Sequence, residues 1–256
     1  MRSRWNPPRP RPPRRPDVVL RLLVRTFSEV SLTAGTLIVL FVAYLLLWTG
    51  VRADRAMDGE VARLHERWSA PAAPAPTTSP APTSPAPGTA PAAPAPVPPL
   101  ADGQAFAEMY VPRFGADWNK PVLEGTGPEP LQRGLGHYPR SARPGEVGNF
   151  AVAGHRRTYG DPFKDVPQLR PGDAVIIKDA AAWYTYTVRS GPLRVLPTET
   201  GVVDPVPQGS PFTTPGRYLT LTTCEPEWGH SHRLVVWAEL TGTRPAAQGP
   251  PGGLPR

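Results

Sequence analysis

The run Tyr218-Leu219-Thr220-Leu221-Thr222-Thr223-Cys224 decides how this chain is read. Its β-formers predict a strand, and that strand ends in the chain's one cysteine. Further on, Arg233 opens a second strand-like run, Leu234-Val235-Val236-Trp237-Ala238-Glu239-Leu240. Far upstream a third run, Asn149 to Gly154, ends in His155. A thiol, an imidazole and a guanidinium each stand at a strand end, and together they are the parts of a cysteine acyl-transferase. A lone thiol in a domain outside the cell has no internal disulfide partner. It is then either a buried, inert Cys or a nucleophile.

A free thiol is only slightly ionised at neutral pH, so a nucleophilic Cys needs a nearby cation or base. Arg233 and His155 both supply positive charge. A guanidinium stays charged and its rigid fork suits an oxyanion. An imidazole ordinarily titrates near about 6.5, so it can give a proton to a leaving amine and take one from an incoming amine. His137 sits in a second glycine-flanked strand and reads as structural. His230 and His232 have a metal-like spacing, but no second Cys or paired carboxylate completes a set, so they read as loop residues. No metal and no cofactor are expected.

The charge pattern places the domain. From Ser31 to Gly50 there is no charged residue, and Leu32 to Trp48 is almost wholly apolar. About 20 such residues at 1.5 Å rise span a bilayer core of about 30 Å. Eight arginines and one aspartate fill residues 1–27. By the positive-inside rule that end is cytoplasmic and everything after Gly50 is outside. A cleaved signal peptide would have an apolar core of about 7–15 residues; here the core is longer and the exit side carries Trp48, Arg52, Asp54 and Arg55. The formal net charge is +7, yet residues 28–256 carry 20 basic and 20 acidic side chains. The basicity therefore belongs to the arm and not to a nucleic-acid face.

These readings divide the chain into a basic cytoplasmic arm (1–27), a membrane anchor (28–50) and a juxtamembrane helix (51–68). In that helix His65 reads as a solvated side chain. A Pro/Ala-rich disordered linker follows (69–100), reaching on the order of 100 Å if extended. Residues 101–243 form the one segment able to bury a core, and 244–256 a disordered tail. Strand-like runs cover Phe106 to Phe114, Phe150 to Gly154, Ala174 to Lys178, Trp183 to Val188, Leu193 to Leu196, Tyr218 to Thr223 and Leu234 to Leu240. Punctuated by Pro and Gly, without a long amphipathic helix, they predict a mainly β domain. A closed or nearly closed barrel with short helices in its loops fits them best.

Thr220-Leu221-Thr222-Thr223-Cys224 resembles the T-L-x-T-C signature of sortases. Gly154-His155-Arg156 resembles their catalytic-histidine segment, and Arg233 stands where the sortase arginine follows the Cys. Gly136-His137-Tyr138-Pro139 and Pro144 to Asn149 also look like sortase segments. The stretch Ala153 to Gly160 is most similar to class E, the housekeeping wall-anchoring enzymes of high-GC Gram-positive bacteria. The resemblance covers about residues 104–242. It implies an eight-stranded sortase β-barrel and a membrane-anchored transpeptidase. Cys224 would cut a sorting signal of L-P-x-T-G type, for class E L-A-x-T-G, between Thr and Gly, forming a thioester. His155 would move the protons and Arg233 would hold substrate and oxyanion. Thr223 would bond near the substrate, and Tyr159 would be linked to the alanine preference. The implied partners are surface proteins bearing C-terminal sorting signals, a lipid-linked peptidoglycan precursor and the membrane. The competing readings are a tethered extracellular cysteine peptidase and a non-catalytic wall-binding module.

Overall fold

In a computed structural model of the chain, residues 16–70, 99–252 and 254 are described. The arm through residue 15, the linker over 71–98 and the last few tail residues lie outside them. Helix α1 runs from Pro16 to Ser69. It contributes to two compact units, 1–48 and 49–256. In the first, Val18–Tyr44 has a mean hydropathy of 1.7 and is long and apolar enough to cross a membrane.

The second unit is built on β1 (Ala105–Tyr110), β2 (Asn119–Glu124), β3 (Leu135–His137), β4 (Gly148–Ala153) and β5 (Ala174–Lys178). It continues with β6 (Ala182–Val188), β7 (Leu193–Val195), β8 (Arg217–Glu225) and β9 (His232–Pro245). A short helix α2 (Pro128–Arg133) joins β2 to β3. The strands pair in the order β6-β5-β1-β2-β3-β4-β8-β9, and β9 pairs back onto β6. The ring is a closed eight-stranded barrel, and closure leaves no open sheet edge in it. β7 is a ninth strand, laid outside the ring against Arg233 to Val235 of β9.

The predicted runs Ala174 to Lys178 and Trp183 to Val188 pair as an antiparallel hairpin, the second strand beginning at Ala182. Two predicted runs change. The first stops at Tyr110, and Pro112–Phe114 turns as a 3-10 helix. The last begins at His232 and continues to Pro245, because β9 serves both β8 and β6.

Side chains alternate along β8 and β9. Leu219, Leu221, Leu234, Val236 and Ala238 enter the barrel core with Phe150, Val152 and Tyr186. The opposite face carries Val235 and Trp237. They form a smaller cluster with Val195 and Val202, where the 3-10 turn Thr200–Val203 lies over the sheet.

The part of α1 beyond Thr49 packs on the barrel. Ala53, Met57, Glu60 and Leu64 are buried at helical spacing, which makes one stripe. Leu64 meets Ala105 and Leu123. Glu60 Oε1 accepts from Arg133 Nη1 at 2.5 Å, so this buried carboxylate is paired. His65 stays exposed, as its sequence reading has it, and gains a partner. Its Nε2 stands 2.8 Å from Oε2 of Glu108, whose carboxylate is fully buried. Asn119 Nδ2 donates to the other oxygen of Glu108 at 2.5 Å. Burial, then the charge of Glu108, push the Tyr110 phenol far up, so it stays protonated.

Candidate active site

β4 and β8 run parallel, with Ala153 level with Thr222. The register is decisive, because each strand has its reactive residue just beyond that rung. Gly154 N–H donates to Thr222 O at 3.1 Å, and Thr223 Oγ1 donates to Gly154 O at 2.8 Å. On the other side β8 and β9 are antiparallel, and Cys224 pairs directly with Arg233. His155, Cys224 and Arg233 therefore stand side by side at one end of three neighbouring strands. All three line one cleft of about 200 Å³.

The cleft has an apolar and hydroxylic wall. Leu131 of α2 and Thr126 flank it, and Tyr138 OH lies 3.1 Å from Thr222 Oγ1. Arg233 Nη1 donates to the carbonyls of His230 and His232, at 3.1 and 3.0 Å, which fixes the guanidinium at the strand end. Burial pushes the His155 imidazole below its ordinary value, and the nearby Asp161 charge works in the opposite direction. A proton on this ring is held less tightly than in water.

Thr223 lines the cleft, but its hydroxyl is spent on Gly154 and the residue is 3% exposed. Tyr159 does not line the cleft. Its ring packs beside His155, with centroids 5.0 Å apart. His137 lies apart and is buried, with Nδ1 2.6 Å from Glu124 Oε2 and Nε2 2.9 Å from Ser141 Oγ. His232 Nδ1 faces Arg194 and Ser231.

Two ties across the cleft have no counterpart in the sequence reading. Arg156 pairs with Glu225, and also donates to the Cys224 carbonyl at 3.3 Å. Arg157 pairs with Glu227 and lies over the Trp228 ring at 4.9 Å. The two arginines after the histidine thus grip the two glutamates after the cysteine. The signal was present as Arg-Arg and Glu-Pro-Glu, but it acquires meaning only once β4 and β8 are neighbours.

This arrangement brings a thiol, a proton carrier and a rigid cation to one opening. The family sequence description "Sortase domain" matches residues 109–241. The chain belongs to the sortase family. Sortase SrtE1 of Streptomyces coelicolor is 33% identical to this sortase over 237 residues, 90% of the chain and 60% of SrtE1. This sortase thus spans less than two thirds of that relative's length. Sortase SrtE2 of the same organism is 28% identical, over 90% of this chain and 87% of its own.

Solved structures agree with the barrel. Sortase E from Streptomyces avermitilis is 58% identical, with a TM-score of 0.57, over 60% of this sortase and 99% of that chain. Sortase E1 from Streptomyces coelicolor, solved with a tripeptide in its active site, is 38% identical. Its TM-score is also 0.57, over 60% of this sortase and 98% of that chain.

Proposed function

We propose that this sortase is a membrane-anchored cysteine transpeptidase of class E type. The observation that carries the reading is the level placement of His155, Cys224 and Arg233 across β4, β8 and β9 at one cleft. The substrate is a surface protein with a C-terminal L-A-x-T-G or L-P-x-T-G signal. The thiolate of Cys224 attacks the Thr carbonyl, and the Sγ–C bond forms as the oxyanion develops. Arg233 donates to that oxygen, whose charge grows most in the transition state. The C–N bond to Gly breaks, and His155 delivers a proton to the leaving amine. The amine of a lipid-linked wall precursor then attacks the thioester. His155 takes its proton and Cys224 leaves as thiolate, ready for another cycle.

Membrane anchoring belongs to the same proposal, through the apolar segment of α1 within residues 28–50. Its support is the arginine-rich arm ahead of it, which by the positive-inside rule puts the barrel outside. Holding enzyme, precursor protein and lipid-linked acceptor at one surface raises their effective concentration.

The test is interception of the thioester. With an L-A-x-T-G peptide and hydroxylamine, the full chain should release a product ending in threonine hydroxamate, seen by mass spectrometry. Cys224→Ala should give none. Release of only the free acid, at a rate that no added amine changes, would make the enzyme a peptidase. No cleavage of either signal peptide would sink the transpeptidase reading.

A further inference from the structure

Beyond β4 the chain from His155 to Phe163 closes on itself, with Phe163 N–H donating to His155 O at 2.9 Å. Inside this loop Tyr159, Gly160 and Asp161 hold φ of 53, 78 and 51 in succession. Left-handed backbone is unfavourable for tyrosine and aspartate, and persists where the surroundings fix it. One source of fixation lies on the cleft side. Tyr159 packs beside His155, and Arg157 reaches Asp161 at 3.8 Å.

The other lies behind, on α1. A Cβ at Gly160 would stand 2.5 Å from Met57 Cε and 2.6 Å from Asp54 Oδ1. The ends of two side chains from the helix therefore lie directly against this backbone. Met57 is 1% exposed, so the contact is dry. Asp54 in turn lies 3.7 Å from Lys120 Nζ at the start of β2. The rest of the stripe is fixed to the barrel by Glu60 on Arg133, Leu64 on Ala105 and Leu123, and His65 on Glu108. Arg67 Nη2 adds a 2.7 Å bond to Ala105 O. A helix held at so many points is a firm support, and packed contacts of this density transmit displacement.

We infer that Met57 is a positioning residue for the reaction: through Gly160 it supports the 155–163 loop and so sets where His155 stands at the cleft and how Tyr159 packs beside it. The inference rests on the transpeptidase reading above. It makes the turn of α1 around Asp54 and Met57 part of the scaffold of the site, in addition to any role of the helix as a tether. A misplacement of about 1 Å at a proton carrier costs up to on the order of a hundredfold in rate, so a methionine outside the cleft has leverage.

The experiment compares Met57→Ala with Leu64→Ala in the full chain in detergent micelles. Both remove a buried apolar side chain from the same helix, but only Met57 touches the loop. Hydrogen exchange of the 155–163 peptide is measured by mass spectrometry, and kcat and KM are measured on L-A-x-T-G and L-P-x-T-G peptides. Met57→Ala should speed exchange in the loop, lower kcat/KM on the order of tenfold mainly through kcat, and change the preference between the peptides. Leu64→Ala should leave loop exchange and preference as in the parent, and Met57→Leu should restore both. Asp54→Ala, at an exposed side chain, probes the same contact without opening the core and should act in the same direction. Unchanged loop exchange in Met57→Ala overturns the inference. So do equal effects of Met57→Ala and Leu64→Ala, or a loosened loop with unaltered kinetics. If the parent cleaves neither peptide, the transpeptidase reading fails by itself, and loop exchange still decides whether Met57 supports the loop.

Discussion

Thr223 Oγ1 donates a 2.8 Å hydrogen bond to the carbonyl of Gly154, so the residue before the thiol is tied to the residue before the imidazole. Both residues are buried. Thr223→Val keeps the shape and removes the donor. The orphaned carbonyl should cost about 1–3 kcal/mol of stability. Turnover should fall with it, because His155 and Cys224 lose their common brace. Thermal melting followed by tryptophan fluorescence reads the first effect and peptide cleavage the second. A variant with parental melting and parental rate would show that the bond braces nothing.

His155 and His137 should separate by the kind of damage their loss does. His155→Ala should lower kcat by about 10²–10⁴ with little change in melting, as for loss of a general acid–base. His137→Ala leaves the Glu124 carboxylate unpaired in the interior, so it should lower the melting temperature and spare the rate of whatever remains folded. Cys224→Ala should melt like the parent and cleave nothing. The reverse order for the histidines would move the base to His137.

The pH profile has a sign. For a thiol–imidazole pair kcat/KM against pH is a bell whose limbs belong to the pair. Burial disfavours the His155 imidazolium, so the acid-side limb should fall below the ordinary histidine value of about 6.5. Asp161 pulls the other way, holding the proton on. Asp161→Asn removes that charge, and asparagine tolerates the left-handed backbone at this position. The acid limb should therefore move to still lower pH. Movement upward, or none, would mean that another group sets it.

Signal preference should depend on Tyr159. The parent should cleave L-A-x-T-G peptides with higher kcat/KM than L-P-x-T-G peptides. Tyr159→Phe keeps the ring beside His155 and removes the hydroxyl, so the gap should narrow by no more than a hydrogen bond of about 0.5–1.5 kcal/mol. Equal rates in the parent would remove the class E preference and leave the chemistry standing.

The sequence made the strands of strong side-chain pattern legible, and hid the rest for identifiable reasons. Ala174–Lys178 and Arg217–Glu225 are dense in β-formers, so their existence was plain. β2 opens with Asn119-Lys120-Pro121, which reads as turn chemistry, and it is a strand because β1 and β3 both bind it. β3 is three residues with a central glycine, too short for any period, so only the glycine-flanked setting of His137 pointed to it. The candidate site residues Cys224, His155 and Arg233 were legible because each stands at a strand end and within a segment that resembles a sortase motif. The Arg156–Glu225 tie was not, since its partners are 69 residues apart and meet only through a parallel pairing. The buried stripe of α1 escaped notice because Glu60 interrupts its apolar character, and Glu60 is buried only because Arg133 meets it.

β9 is the last strand of the barrel, and it closes the ring by pairing with both β8 and β6 while presenting Arg233 to Cys224. A ribosome makes it after the other eight strands. The thiol is thus synthesised, and emerges, before the guanidinium that it works beside. No nascent chain short of β9 has a closed barrel or an assembled cleft. Non-local pairings such as β6 with β9 also form slowly, since a long loop must close before any contact rewards it. On the proposed transpeptidase reading, the thiol is therefore kept out of service by the order of synthesis itself, and comes into service when the final strand clips into place.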